Sequence, residues 1–333
     1  MADVQLLFEA FDMAIRMGTM DEDALLRGRR DRLLDDLRKG LTTVFREKNS
    51  TVPQFKHFNQ GSYAMRTGVK PIGGEYDIDV GLIFDISVSA YPNPVAIKSW
   101  VLEALSRGAR EVKMRHSCVT VAYKEAGRYT HHVDLAIYGQ GRGGRLYLAR
   151  GRENSGPRRR VWDHADPLGL IEQVQNYRSG LEREQFRRVI RYLKRWRDVS
   201  FPSEGNAAPV GIGLTVLALQ GFRPVLNKKQ NGQNSPDDLA ALRSFIRWML
   251  NSFEWVFYDR QFAHRLPANL PVTPRSNVLL RMSNNQMNAF ESNLRLLLSV
   301  LEEAHLEAAT RPASKKLRSV FGSDFPLPKG SVK

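Results

Sequence analysis

Asp77-Ile78-Asp79 heads an alternating run, D-I-D-V-G-L-I-F, in which Ile78, Val80, Leu82 and Phe84 share one face of a strand. The same alternation turns Asp77 and Asp79 to the other face, about 7 Å apart along the chain. Two carboxylates so placed repel one another, and a bound cation removes the penalty of ionising both. Oxygen-only ligands suit Mg²⁺, with Mn²⁺ able to replace it. A third carboxylate, Asp134, stands in H-H-V-D-L-A-I-Y, where Val133, Leu135 and Ile137 form the buried face and Asp134 shares the other with His132 and Ala136. If that strand lies beside the first, three carboxylates converge and can hold two metals. Such a pair stabilises both the attacking and the leaving oxygen of an in-line phosphoryl displacement. Gly61-Ser62, fifteen residues before the Asp pair, adds a turn in which glycine lets the backbone come close. Its amide and hydroxyl donors can cradle polyphosphate oxygens.

Other reactive side chains carry less. His131 and His132 have no cysteine or acidic partner at ligand spacing, so they do not read as a metal site. Cys118 reads as a small core residue. The glycines at 139, 141, 143 and 144 do not follow a nucleotide-binding fingerprint and read as a turn that ends the sheet.

These residues need a scaffold, and the 333-residue length suits two domains. Residues 21 to 48 read as one long helix, with Leu25, Leu26, Leu33, Leu34, Leu37, Leu41, Val44 and Phe45 recurring near 3.6 and Asp21 as its N-cap. Short strands are expected at 77–84, 117–123 and 131–138, with a helix at 94–107. Beyond about residue 165 the strand signals fade. Asp166-Pro167 starts a helix; further helices are expected at 181–197, 211–221, 237–250 and 284–308, and a polar surface loop at 227–236. In the 181–197 helix, Phe186, Val189, Ile190, Leu193 and Trp196 form the buried stripe, which leaves Lys194 free to face a cleft. The picture is an α/β first lobe over 1–165 and a helical second lobe over 166–333.

Charge speaks about partners. Fifty Lys+Arg against thirty-five Asp+Glu leave a net +15, which favours polyanions such as nucleoside triphosphates or nucleic acid. Fifteen basic residues against six acidic ones fall between Arg142 and Arg197. No apolar run approaches a membrane span, and Asp3 and Glu9 interrupt the first apolar stretch, which makes a poor secretory signal. One cysteine excludes an internal disulfide and suits a reducing cytoplasm.

Taken together, G-S-Y-A-M-R-T, E-Y-D-I-D-V-G and H-V-D-L resemble the polymerase-β-type nucleotidyltransferase superfamily. More narrowly the chain is similar to the bacterial cGAS/DncV-like nucleotidyltransferases, which make cyclic oligonucleotide signals in anti-phage (CBASS) defence. The long helix at 21–48 matches the family's spine helix. V-W-D-H-A-D-P-L-G-L at 161–170, R-R-V-I-R-Y-L-K-R-W at 187–196 and L-R-S-V-F-G-S-D-F-P at 317–326 resemble its entry to the helical lobe, its lysine-bearing helix and its C-terminal closing segment. The resemblance implies an α+β, bilobal fold, with a small mixed or antiparallel sheet carrying the carboxylates, a spine helix and a helical C-terminal lobe.

It further implies that Asp77, Asp79 and Asp134 bind Mg²⁺ and catalyse, while Gly61, Ser62 and Lys194 hold the donor triphosphate. Relatives often carry a serine at the start of the next helix; here that region reads A-P-V-G-I-G-L-T, so no such side-chain contact is expected. The implied reaction is template-free condensation of NTPs, ATP among them, into a cyclic di- or trinucleotide that acts on a downstream effector protein. Some members need a HORMA-type or other regulatory partner. Two rival readings share the residues: transfer of nucleotides to RNA or a small molecule, and non-catalytic nucleic-acid binding.

Overall fold

The computed structural model of the chain describes residues 2–18, 20–73, 76–107, 110–125, 128–202, 207–229 and 232–328. The strongest sequence signal, the spine helix, appears as α2 (Met20–Glu47), after a short α1 (Gln5–Ile15) that the sequence did not announce. The leucines of α2 that recur every third or fourth residue, Leu33, Leu34, Leu37 and Leu41, are buried. Because α2 already includes Asp21, that residue does not cap it; the side chains of Asp21 and Leu25 lie outside the described residues.

The first lobe continues through β1 (Phe55–Asn59), α3 (Gly61–Ala64), β2 (Tyr76–Ser87), α4 (Pro94–Leu105), β3 (Glu111–Met114), β4 (Val119–Glu125) and β5 (Arg128–Gln140). Pro94 occupies the first turn of α4, where Asn93 caps it by accepting from the Val95 amide. The strands run in the order β1-β2-β5-β4-β3, antiparallel except for the central β2–β5 pair, which is parallel. Alternation then sorts the side chains. Val80, Leu82 and Phe84 of β2 and Val133, Leu135 and Ile137 of β5 join Leu37 and Leu41 of α2 and Val101 of α4 in one core. The other face of β2 and β5 carries the acidic residues.

The glycine-rich stretch 139–144 does not end the sheet. It reverses the chain into β6 (Leu146–Arg150), which pairs with β5 and then with β7 (Val161–His164), so the sheet has seven strands among the described residues. Gly143 and Gly144, at φ 69° and 73°, supply the left-handed conformations of this turn, and a tight reversal has the same glycine signature as a strand end.

The second lobe comprises α5 (Pro167–Gln175), α6 (Gly180–Ser200), α7 (Gly211–Gly221), α8 (Asp238–Asn251), α9 (Asn284–Leu306) and α10 (Thr310–Phe321). Two hairpins interrupt it where no strand was expected. The polar stretch 227–236 holds β8 (Leu226–Lys228) and β9 (Asn234–Pro236), with residues 230–231 outside the described ones. A second hairpin joins β10 (Glu254–Tyr258) to β11 (Gln261–Arg265).

Helix α6 runs through the middle of this lobe and is buried well beyond its apolar stripe. Its charged residues find distant partners: Arg191 forms a two-pronged pair with Asp12 of α1, at 2.6 and 2.9 Å, and Arg188 another with Asp238 of α8, at 2.7 and 2.8 Å. Phe8 and Phe11 of α1 pack with Tyr192, Phe321 and Phe325 in the same core. The N-terminal helix is thereby fastened to the helical lobe.

Candidate active site

The parallel pairing of β2 with β5 sets Asp79 opposite Asp134 and Asp77 opposite His132. Each of Asp77, Asp79 and Asp134 offers a carboxylate oxygen, and these oxygens lie within 4.8 Å of one another. The convergence that the two alternating motifs required is therefore present. Its electrostatic signature is also present. Burial of the carboxyl, then the charge of Asp134, pushes Asp79 up to about 6, with Lys194 acting in the opposite direction. Asp77 stands at the exposed mouth of the group. Crowding of its carboxyl by protein, followed by the charges of Asp79 and Asp134, pushes it up to about 7.

Asp134 is held by a residue that the sequence reading overlooked. Thr120, its partner across β4 and β5, donates its hydroxyl to Asp134 Oδ1 at 2.6 Å. The signal was available in S-C-V-T-V: Val119 and Val121 are fully buried, so Cys118 and Thr120 must share the carboxylate face. The same alternation corrects the reading of Cys118 as a core residue. It is half-buried, its Sγ 3.7 Å from Thr120 Oγ1, and burial together with the charge of Asp134 pushes its thiol up to about 12. It is thus a protonated, inert neighbour of the site.

Gly61 and Ser62 open α3 directly against the carboxylates. The Gln60 amide donates to the Asp79 carbonyl at 2.9 Å, which ties the turn to β2. Gly61 has φ 65°, and a β-carbon there would stand 1.8 Å from Asp79 Oδ2. Only glycine allows this approach.

Lys194 reaches the site but is not a free side chain. It is 94% buried (6% exposed), and its ammonium donates to the Thr67 carbonyl at 2.9 Å and to Thr67 Oγ1 at 3.2 Å. Burial, then Arg197 and Arg191, brings its pKa down to about 7. The stripe argument placed its direction correctly and missed its environment, because α6 is covered on several sides. Gly61, Ser62, Asp77, Asp79 and Lys194 line one cavity of about 360 Å³ together with the first turn of α7. That helix starts at Gly211 without a side-chain cap, so backbone amides stand where a serine was not found.

The two histidines part company. His131 points into a different cavity, stacked on Tyr123 at 4.3 Å and 2.7 Å from Arg29, whereas His132 lies beside Asp77 and lowers its pKa slightly. The donor set at the three carboxylates is all oxygen, and burial first, then mutual repulsion, pushes two of its members above their usual range. Those residues fit a divalent cation.

A two-lobed chain with paired β2 and β5 carboxylates, a Gly-Ser turn and a helical lobe has the architecture of a nucleotidyltransferase. Residues 55–138 match the family described as cyclic GMP-AMP synthase DncV-like, nucleotidyltransferase domain. The whole chain shares its fold with crystal structures of Vibrio cholerae DncV. One, described as a cyclic AMP-GMP synthase and prokaryotic cGAS homolog, is 16% identical, with 98% of each chain covered and a TM-score of 0.68. The apo form is 16% identical, with 98% of this chain and 99% of that chain covered and a TM-score of 0.69. A complex with the linear intermediate 5′ pppA(3′,5′)pG is 15% identical over 98% and 99% of the two chains, with a TM-score of 0.66. The resemblance to cGAS/DncV-like nucleotidyltransferases drawn from the sequence is borne out. No curated protein matches the sequence. Among the described residues no helix is long and apolar enough to cross a membrane.

Proposed function

We propose that the chain is a template-independent nucleotidyltransferase that condenses NTPs, ATP among them, into a cyclic di- or trinucleotide and releases pyrophosphate. The observation that carries this reading is the meeting of Asp77, Asp79 and Asp134 beside the cavity lined by Gly61, Ser62 and Lys194. The DncV-like domain match supports it, as does a shared fold with a cyclic AMP-GMP synthase seen with a linear dinucleotide.

The donor triphosphate lies against α3, where the Gly61 and Ser62 amides and the Ser62 hydroxyl donate to its oxygens. Lys194 provides a cation from the opposite lobe; because its pKa is about 7 in the free protein, an arriving triphosphate draws a proton onto it. Asp77, Asp79 and Asp134 would hold Mg²⁺, which supplies charge neutralisation at the phosphates. Asp134 keeps one oxygen on Thr120 and takes up the proton of the acceptor ribose hydroxyl with the other. The hydroxyl oxygen bonds to the donor α-phosphorus, the bond to the β-phosphate oxygen breaks, and pyrophosphate leaves. A second transfer within the linear product closes the ring.

The division into a catalytic core over 1–165 and a closing helical domain over 166–333 belongs to this proposal. So does cytoplasmic action in anti-phage defence, through an effector protein and under a HORMA-type or other regulatory partner.

Mass spectrometry of a reaction with all four NTPs and Mg²⁺ tests the reading. A phosphatase-resistant cyclic product that disappears in Asp77→Asn is expected. Product that forms only when RNA is added would favour the tailing enzyme, and undiminished synthesis by Asp77→Asn would overturn the assignment.

A further inference from the structure

The β10–β11 hairpin pairs Trp255 with His264 and Phe257 with Phe262, and alternation puts these four rings on one face. Trp255 stacks on His264 at 5.1 Å and Phe257 meets Phe262 edge-on at 5.6 Å, so the rings form a continuous plate. Trp255, Phe257 and Phe262 are 70, 68 and 72% exposed. Among the described residues no other element presents more than one exposed aromatic ring. We propose that this plate is a dimer interface, at which two copies of the chain pack their hairpins face to face and antiparallel about a twofold axis. The contact does not depend on the reaction the chain catalyses.

The plate is fixed from behind. The Asp259-Arg260 turn takes φ 51° and 65°, the left-handed pair whose twist suits two antiparallel strands. On the inner face Tyr258 donates its hydroxyl to the Leu280 carbonyl at 2.8 Å. The buried Arg265 donates to the Leu280 and Met282 carbonyls at 3.2 and 2.7 Å and to Asn284 Oδ1 at 2.9 Å. Its guanidinium lies 3.8 Å from the centre of the Tyr258 ring. At the open end of the hairpin His264 Nδ1 is 2.8 Å from Glu291 of α9, which also accepts from Arg295. A platform already held in this way loses little conformational freedom on docking.

Charge selects the occupant. Glu254, Asp259 and Glu291 stand against Arg260, Arg265 and Arg295, so the hairpin and the helix face beside it are balanced on a chain of net +15. A nucleic acid or an anionic bilayer is drawn to uncompensated basic groups. Two like-charged copies meet most readily where their own charge is balanced. The patch is also self-complementary. Antiparallel packing carries the Asp259-Arg260 turn of one copy over the Glu254, Glu291 and Arg295 end of the other, and the twofold axis repeats the contact. Acid then faces base at both ends, and each Trp255 lies against the Phe257–Phe262 pair across the axis.

The area is sufficient for a reversible dimer. At these exposures the three rings offer about 450 Å² per copy, or about 900 Å² from two copies. The exposed rim of Glu254, Asp259, Arg260 and Gln261 brings the total to about 1,200 Å², the lower end of specific interfaces.

Sedimentation velocity of the full chain, freed of nucleic acid, over about 1–200 µM tests the interface, with a monomer–dimer equilibrium of Kd about 1–50 µM expected. Trp255→Ser/Phe262→Ser should weaken dimerisation at least about 100-fold. Leu296→Ser/Leu306→Ser, which removes exposed apolar side chains of α9, should leave it unchanged. Thermal melting checks that each variant is folded. Glu254→Arg and Arg260→Glu should each weaken the dimer about tenfold, and the two combined should restore it to within about threefold. A chain that stays monomeric throughout, or a dimer that survives Trp255→Ser/Phe262→Ser, would overturn the interface. Charge exchange without restoration would overturn the antiparallel packing. The same samples are mixed with phosphatidylcholine–phosphatidylserine vesicles and with single-stranded RNA. Binding of either by the monomer, abolished in Trp255→Ser/Phe262→Ser, would assign the plate to that partner and overturn the dimer.

Discussion

Removing the charge of Asp79 should make the metal-free protein more stable. Asp79 rises from the usual 3.8 to about 6 in the fold, chiefly through burial and then Asp134. A group whose folded pKa is raised holds its proton longer in the folded state than in the unfolded one. Relative to a neutral side chain it therefore destabilises the fold progressively as pH climbs from about 4 to about 6, and steadily above that. At 1.36 kcal/mol per pH unit the penalty is ~0.5 kcal/mol at pH 4 and ~3 kcal/mol at pH 7. Asp79→Asn escapes it. In EDTA at pH 7 the variant should melt about 3–6 °C above wild type, with the gap nearly closed at pH 4. Saturating Mg²⁺ or Mn²⁺ should reverse the order. At a hundred times its Kd the cation adds about 2.7 kcal/mol to wild type, and Asp79→Asn should gain much less. Differential scanning calorimetry at the two pH values, with and without cation, reads all four quantities. A variant no more stable than wild type in EDTA at pH 7, or equal stabilisation of both by cation, would refute the reasoning.

Gly61→Ala should abolish transfer by at least about 100-fold while the chain stays folded, because the new methyl displaces the Asp79 carboxylate; initial rates with NTPs and a melting curve check both halves. Nucleotide binding at pH 8 should take up close to one proton, since Lys194 with a pKa near 7 is mostly neutral there until a triphosphate arrives; at pH 5.5 uptake by this lysine should vanish. Calorimetry in two buffers of different ionisation enthalpy measures the uptake, and Lys194→Met should remove it. Thr120→Val should lower kcat about tenfold with little change in KM for the donor, as expected of a residue that positions Asp134 without touching substrate; steady-state kinetics separates the two constants.

What was legible in the sequence was whatever depended on local period. Alternation across D-I-D-V and H-V-D-L assigned the faces of β2 and β5, and the faces alone placed three carboxylates where the parallel pairing then joined them. The helices of the second lobe up to α9 followed from caps and apolar spacing for the same reason, whereas α10 was not expected. What stayed hidden depended on partners far along the chain. Lys194 read as a free side chain facing a cleft because its helix shows one apolar stripe. It is buried because Thr67 arrives from 127 residues away to accept its ammonium, just as Asp12 arrives from 179 residues away for Arg191. Strands β6 and β7 were missed because a glycine turn that reverses a strand resembles one that ends it. The β10–β11 hairpin left Trp255, Phe257 and Phe262 exposed, so it showed no one-sided burial pattern to read.

The central claim is tested most directly by a crystal structure of the chain with Mn²⁺ and a nonhydrolysable ATP analogue, recorded at the manganese edge. The account predicts anomalous density about 2.1–2.2 Å from oxygens of Asp77, Asp79 and Asp134, with the triphosphate on Gly61, Ser62 and Lys194. Manganese bound elsewhere, or a triphosphate seated away from the Gly61-Ser62 turn, would contradict it.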